Sequence, residues 1–223
     1  MPFPQQLIEG YRAFLGGRLR AEQDRYRELS ERGQSPQVMV ISCCDSRCAP
    51  ETIFNASPGE LFVARNISGL VPPYTPDGAT RAVSASLEFA VQALKVKHIV
   101  VLGHAQCGGI RAYAEEAAPL SPGDFIGHWM ALVAPAAKAV GPRGNMPMED
   151  YLTKLEQASV AVTLDNLMTF PCVKILVERG KLALHGAYFG VAAGRLFVRD
   201  PASGQFVQIA ADEHAKIFET PRF

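Results

Sequence analysis

The stretch VMVISCCDSR, residues 38–47, decides the fold class because a buried strand in it leads directly into reactive side chains. Its first five residues, Val38 to Ser42, form a short continuous run rich in β-branched Val and Ile. Such a run is typical of a parallel strand with both faces covered. It ends in Cys43 and Asp45. A chemical motif at the carboxyl end of a strand predicts an open α/β sheet, in which that edge lines the binding crevice.

The same arrangement occurs a second time at HIVVLGHAQCGG, residues 98–109. The strand predicted over His98–His104 is the most apolar of the chain, and it also ends in a chemical motif, HAQC. A further strand over Leu61–Asn66 and a helix over 79–95 lie between the two motifs. Strand, helix and strand in alternation predict a parallel sheet with helices packed on it.

The rest of the chain is predicted to add helices and two strands. Residues 4–32 carry apolar residues at helical spacing followed by a charged stretch, which predicts an amphipathic surface helix. Helices are also predicted over 124–139, 147–170 and 173–179, and strands over Leu182–Phe189 and Arg195–Asp200. Because the sequence shows no internal repeat or linker, we expect a single domain over residues 1–223, with a helical arm over 1–34 and an α/β core over 37–210 that carries both motifs.

The composition excludes several classes of protein. Hydrophobic residues make up 48% of the 223 residues and charged residues 20%, as in a globular domain rather than a disordered chain. The 22 basic and 22 acidic side chains cancel, so no global field attracts nucleic acid or an anionic membrane. No run of about 18 apolar residues suggests a membrane span. The amino terminus lacks a secretory signal pattern and the five cysteines are odd in number, so we expect free thiols in the cytoplasm.

Cys43, His104 and Cys107 are the candidate metal ligands. Neighbouring parallel strands would bring them together, and two thiolates with one imidazole suit Zn²⁺. Three protein ligands leave the fourth position open, as in catalytic zinc sites. Asp45 and Arg47 are expected beside the metal, where the arginine keeps the carboxylate ionised and aims it at a bound water or at the metal.

Gly108 and Gly109 follow Cys107 and are predicted to open a helix. Their backbone amides are expected to stabilise the thiolate of Cys107, and the backbone of Gly108 is a candidate contact for the substrate. The alternative interpretation of the whole cluster is a set of buried free cysteines and a structural histidine.

Four segments resemble the beta class of carbonic anhydrases: CCDSRCAPE, PGELFVARNISGLVPP, LEFAVQALKVKHIVVLGHAQCGGI and LALHGAYF. The resemblance extends from about Val38 to Val198, includes the family's CxDxR and HxxC motifs, and is closer to the plant-type branch than to the enteric bacterial branch. It implies a parallel sheet with helices on both faces and an added antiparallel edge strand. It also implies an N-terminal helical arm that wraps a partner subunit, in a homodimer or an assembly of dimers.

The resemblance also implies roles for individual residues. Cys43, His104 and Cys107 would be the zinc ligands, with Asp45 and Arg47 as the catalytic pair. The implied reaction is the reversible hydration of carbon dioxide to bicarbonate and a proton, in which zinc-bound hydroxide attacks CO₂ and Asp45 orients it. Two alternatives stay open: hydrolysis of carbonyl sulfide or carbon disulfide at the same site, and a non-catalytic zinc-binding or redox-sensing protein.

Some members of the resembled family have an inactive closed form, in which the Asp of CxDxR becomes the fourth zinc ligand and bicarbonate bound nearby favours that state. Their bicarbonate pocket uses a Trp, an Arg and a Tyr. Here Val40 and Phe189 take the places of the Trp and the Tyr, and only Arg65 matches. We therefore expect the open form, with Asp45 paired with Arg47 and water or hydroxide on the zinc.

Two further histidines are interpreted as structural. His98 begins a predicted strand and is expected at the surface. His185 lies within LALHGAYF and is expected to be a hydrogen-bonded core residue.

Overall fold

The computed structural model describes residues 3–209. Six strands form one sheet in the order β2-β1-β3-β4-β5-β6. Pairing is parallel from β2 to β4 and antiparallel for β5 and β6. The strands are β1 (Val38–Cys43), β2 (Leu61–Asn66), β3 (His98–His104), β4 (Ala183–Gly190), β5 (Arg195–Arg199) and β6 (Phe206–Gln208).

Helices flank the sheet and form the amino-terminal arm. They are α1 (Gln5–Gly16), α2 (Arg18–Ala21), α3 (Gln23–Arg32), α4 (Pro50–Ile53), α5 (Ala82–Glu88), α6 (Gly108–Ala114), α7 (Phe125–Met130), α8 (Ala134–Val140), α9 (Met148–Leu167) and α10 (Pro171–Glu178). Short 3₁₀ turns occupy Ile67–Gly69 and Ala131–Val133, and a π-helical segment, Phe89–Leu94, continues α5.

The register of the central strands places both chemical motifs at one edge. Val38 lies opposite His98 and Ser42 lies opposite Leu102, so β1 and β3 begin at the same height in the sheet and pair without an offset. Cys43 and His104 therefore end neighbouring strands side by side, as the sequence predicted.

The long helix α9 packs directly against β3, and this contact depends on a glycine. A Cβ atom on Gly103 would lie 2.7 Å from the Val160 side chain, so the helix could not approach as closely with any other residue there. Strand residues such as Ile99 and Val101 and the apolar face of α9 share the largest buried cluster. The strand end that carries His104 is thus held against a rigid helix.

Several predicted elements differ from the observed ones. The amphipathic segment 4–32 is three helices rather than one, because the backbone leaves helical geometry at Gly17 and at Glu22. The segment 124–139 is likewise divided, into α7, a 3₁₀ turn and α8. Strand β6 was missed because three residues are too few to show periodicity. Beyond the parallel core, the sheet therefore has β5, the antiparallel strand that was expected, and then β6, which pairs antiparallel with β5.

The single-domain organisation over 1–223 stays a prediction, since residues 1–2 and 210–223 lie outside the described part. Within residues 3–209, no single helix has the length and apolar character needed to cross a bilayer. The pair α9 and α10 meets that criterion only when joined across a 90° bend.

Candidate metal centre

Cys43, His104 and Cys107 come together in a buried cluster at the carboxyl edge of the sheet. Their ligand atoms all lie within 4.8 Å of one another. Cys43 ends β1, His104 ends β3, and Cys107 is the residue that precedes the first turn of α6. Among residues 3–209 this is the one group of three such side chains close enough to share an ion. The strand-end placement predicted from the sequence is confirmed.

The histidine is oriented as a metal ligand would be. Its Nδ1 lies 3.0 Å from the backbone carbonyl of Ala105, which fixes that nitrogen as the N–H donor. Its Nε2 is buried and has no hydrogen-bond partner in the described part of the chain. A buried imidazole nitrogen without a partner is costly in a protein interior, and a metal ion would satisfy it.

The sulfur of Cys43 is surrounded by backbone amides. The N–H groups of Asp45 and Ser68 point at it, with nitrogen–sulfur distances of 3.4 and 3.2 Å. Ser68 adopts a left-handed backbone conformation with φ of 64°, which turns its amide toward the cluster. The Ser68 hydroxyl oxygen also lies 3.3 Å from the sulfur of Cys107. One strained residue therefore contacts both sulfurs.

The two thiols influence each other's ionisation. A hydrogen bond between them lowers the pKa of Cys107 and raises the pKa of Cys43, because the proton of one sulfur stabilises the negative charge of the other. Burial raises the pKa of both. Two thiolates this close repel one another, so both ionise only with a cation between them. The donor set therefore fits a divalent, thiophilic metal.

The two glycines after Cys107 open α6, and the stabilisation of the Cys107 thiolate by their amides stays a prediction. Gly109 has a packing role as well. A Cβ on Gly109 would lie 2.4 Å from the Ser68 hydroxyl, and only glycine leaves room for that hydroxyl beside the cluster. Gly108 begins α6 as predicted, and its contact with a substrate stays a prediction.

Asp45 and Arg47 form a bidentate pair next to the cluster. The arginine Nε and Nη2 donate to the two carboxylate oxygens at 2.9 and 2.7 Å, and the Arg47 backbone amide adds a third hydrogen bond at 3.0 Å. The Arg47 side chain lowers the pKa of Asp45 well below its ordinary range. One oxygen of Asp45 lies 4.0 Å from His104 Nε2. An ionised carboxylate thus sits beside the position where a metal would bind.

Further hydrogen bonds fix the loop that carries this pair. Arg47 also donates to the carbonyl of Gln106 at 3.1 Å, which ties the first motif to the second. Arg65, at the end of β2, donates to the carbonyls of Cys43 and Asp45, each at 2.8 Å. Arg65 therefore has a structural use, which is to hold the loop that carries Asp45 in place.

A second carboxylate lies behind the cluster and was missed by the sequence analysis. Glu156, buried on α9, accepts from the backbone N–H of Cys107 at 2.9 Å and from the Tyr188 hydroxyl at 2.7 Å. Burial raises the pKa of Glu156 to about 7. A charged residue on the core face of a long helix was the available signal, since buried glutamate is rare without a partner.

Val40 and Phe189, which take the places of the Trp and the Tyr of the family's bicarbonate pocket, lie in apolar surroundings. Val40 is fully buried in a small hydrophobic cluster, and Phe189 packs against that cluster. Arg65 is engaged by backbone carbonyls. Asp45 pairs with Arg47, as the open form requires.

Comparisons with known proteins agree with this geometry. A family model described as carbonic anhydrase matches residues 38–196, which is more than half of the chain. A carbonic anhydrase of Pseudomonas aeruginosa is 37% identical over 214 residues, covering 96% of this chain and 94% of that protein.

Two solved structures extend the comparison to the fold. The beta-carbonic anhydrase CcaA superposes with a TM-score of 0.85 at 29% identity, over 93% of this chain and 92% of that one. A tetrameric beta-carbonic anhydrase of Sordaria macrospora superposes with a TM-score of 0.75 at 27% identity, over 86% of this chain and 94% of that one. These matches show that the chain belongs to the beta class of the carbonic anhydrase family.

Proposed function

We propose that this protein is a zinc enzyme that reversibly hydrates carbon dioxide to bicarbonate and a proton, with Cys43, His104 and Cys107 as the metal ligands. The observation that carries the proposal is the placement of Asp45. Its carboxylate is held by Arg47 and lies 4.0 Å from the unpartnered nitrogen of His104. A structural metal site has no use for an ionised, aimed carboxylate at its open side.

Zinc is the ion that best fits the donors. Two sulfurs and one imidazole nitrogen are soft to borderline ligands, which favour Zn²⁺ over Mg²⁺ or Ca²⁺. When bound, zinc supplies Lewis acidity and makes hydroxide available from water near neutral pH.

Asp45 is the proposed catalytic acceptor. Because Arg47 lowers its pKa, the carboxylate is charged at neutral pH and accepts a hydrogen bond without first losing a proton. The bidentate contact also fixes the direction of the carboxylate, so that the attacking water is oriented toward CO₂. Arg47 acts through Asp45 and is a positioning residue.

The decisive experiment measures zinc content and CO₂ hydration on the same preparation. We expect one zinc ion per chain, loss of activity with a chelator, and recovery on returning zinc. Carbonyl sulfide and carbon disulfide are assayed in parallel. Zinc binding without any hydration would support a binding or sensing protein, and faster turnover of a sulfur compound would assign the site to that substrate.

We propose a homodimer, or an assembly of dimers, as the active form. Helix α1 exposes Leu7, Tyr11 and Leu15 at four-residue spacing, and Phe3 continues this stripe. Such an apolar face needs a covering surface, and the Sordaria macrospora relative is tetrameric. Deletion of residues 1–34 is expected to lower the assembly state in light scattering. A fully active truncated monomer would refute the proposal.

We also propose a cytoplasmic location. All five cysteines are free thiols, including the exposed Cys44, which suits a reducing compartment. Fractionation of the source cells with a thiol-trapping reagent tests this.

A further inference from the structure

The sheet carries a second cluster of metal-binding side chains at the end opposite to the Cys–His–Cys cluster. His98 is the first residue of β3, whereas His104 is the last. Six residue steps of about 3.3 Å separate the two histidines by roughly 20 Å. His98 lies opposite Ala183 in the β3–β4 register, so His185, two residues further along β4, is on the same face. The two imidazoles meet there.

The contact between these rings is close and specific. Nδ1 of His98 lies 3.1 Å from Nε2 of His185, and the ring planes are inclined by 43°. Metal–imidazole bonds of about 2.0 Å place two nitrogens on one ion roughly 2.8 to 3.4 Å apart. The observed separation lies in that range. The two nitrogens share a hydrogen bond in the structure, so an ion takes the place of the shared hydrogen once each ring carries its proton on its other nitrogen. His98 is exposed, so its ring can rotate to direct its lone pair at an ion.

The surroundings of His185 favour the neutral form of its ring, which is the form that binds metal. Burial and the neighbouring His98 ring both lower the pKa of His185, which favours the neutral ring. An open cavity of about 540 Å³ lies beside His98 and is also lined by Lys97 and Lys181. Neither lysine forms a salt bridge within residues 3–209. Their charges disfavour a weakly held cation but favour an anion in the remaining coordination positions.

We propose that His98 and His185 form a second metal site, one that takes an imidazole-preferring divalent ion, Cu²⁺ above all, together with a small anion or water. Two imidazoles without carboxylate or thiolate do not suit Mg²⁺ or Ca²⁺. Cu²⁺ has the highest affinity of the first-row divalent ions for such nitrogen donors, which is needed to overcome the nearby lysines.

The test uses the zinc-loaded, full-length protein titrated with Cu²⁺, with zinc release followed in parallel. We expect one copper ion per chain, an electron paramagnetic resonance spectrum with nitrogen couplings from two imidazoles, and full retention of zinc. His98→Ala and His185→Ala should each weaken copper binding by about a hundredfold, because either change removes the chelate. Both variants should keep CO₂ hydration unchanged, which shows that they fold.

Two variants control for other copper ligands. His128→Ala removes an exposed histidine on α7 and should leave copper binding unchanged. Cys44→Ser removes the exposed thiol and should likewise leave it unchanged. The proposal is overturned if copper binds equally well to both strand-histidine variants, if Cys44→Ser abolishes binding, or if copper enters only as zinc leaves.

Discussion

Two carboxylates flank the Cys–His–Cys cluster, and their surroundings differ in every respect. Asp45 lies on a loop with 18% of its side chain exposed, and it pairs with a charged arginine. Glu156 lies on a long helix, is 3% exposed, and contacts only neutral donors, a backbone amide and a phenol. Arg47 lowers the pKa of Asp45, and burial raises that of Glu156. The surroundings alone thus shift the pKa values of two carboxyl groups in opposite directions.

The difference assigns them different tasks. Asp45 stands at the open side of the cluster and stays charged, so it can contact the reacting molecules. Glu156 has no access to that side, because both of its oxygens are occupied by Tyr188 and by the backbone of Cys107. It holds the start of α6, and with it a metal ligand, in place. We therefore propose a catalytic role for Asp45 and a positioning role for Glu156.

The largest expected effect tests whether the two carboxylates serve a metal centre at all. Cys43→Ala and His104→Ala should each abolish zinc binding and CO₂ hydration together, because each removes one of the three protein ligands. Zinc analysis and stopped-flow hydration measure both. Cys48→Ala removes a buried cysteine that is outside the cluster and should keep both properties. Full zinc content in Cys43→Ala would show that Cys43 is not a metal ligand, and the two carboxylates could then not be compared as neighbours of a metal centre.

The next effect concerns the carboxylate at the open side. Asp45→Asn should lower the turnover by about 10²- to 10⁴-fold, the range typical of a lost acid–base group, while zinc content is retained. Asp77→Asn is the matched control, since Asp77 also pairs with an arginine, Arg81, but at the surface. An Asp45→Asn enzyme with near-normal turnover would contradict the catalytic role.

The low pKa of Asp45 also predicts a pH dependence of stability. A carboxyl group whose pKa is lowered on folding stabilises the native state above its unfolded pKa, and this contribution is lost as the pH falls through the folded value. Wild type should therefore lose its stability advantage over Asp45→Asn only in acid. Unfolding of both proteins from neutral to acidic pH measures this. If the difference in unfolding free energy between the two proteins stayed constant over this pH range, the ionisation of Asp45 would not contribute to stability.

The buried carboxylate should show the smaller functional effect and the larger structural one. Glu156→Ala leaves the Cys107 amide and the Tyr188 hydroxyl without partners, at a cost of about 1–3 kcal/mol each, and should weaken zinc affinity by about 10- to 100-fold. Glu156→Gln keeps an acceptor for the amide and should recover most of the loss. Chemical unfolding and zinc competition measure the two effects.

Glu149→Ala is the matched control on the same helix. Glu149 forms an exposed ion pair with Arg111, and its loss should change stability by less than about 1 kcal/mol. If Glu156→Gln loses as much activity as Asp45→Asn while zinc is retained, the division between catalytic and positioning roles is wrong.

The same two carboxylates show what could be predicted from the sequence. Asp45 is two residues from Cys43, so a strand followed by a motif is enough to find it. Glu156 is 49 residues from the amide that it contacts, and that pairing exists only once α9 packs across Gly103. The use of Gly109 escaped prediction for the same reason, because its neighbour Ser68 approaches from another part of the chain. Local motifs predicted the ligands, whereas the contacts that hold them depend on tertiary packing.

The smallest expected effect concerns a switch of Asp45 from its arginine to the metal. Such a change would break the bidentate pair with Arg47, and bicarbonate could favour it only by binding the switched form more tightly. Val40 and Phe189 offer bicarbonate no hydrogen bond, and Arg65 already donates to two carbonyls of the loop. We therefore expect activity to decline smoothly as the pH falls, with no steeper loss when bicarbonate is added, in stopped-flow assays. Crystal structures of the zinc-loaded protein should show Asp45 paired with Arg47 both with and without bicarbonate, and Asp45 bound to the metal only with bicarbonate would show that it leaves Arg47 despite these apolar surroundings.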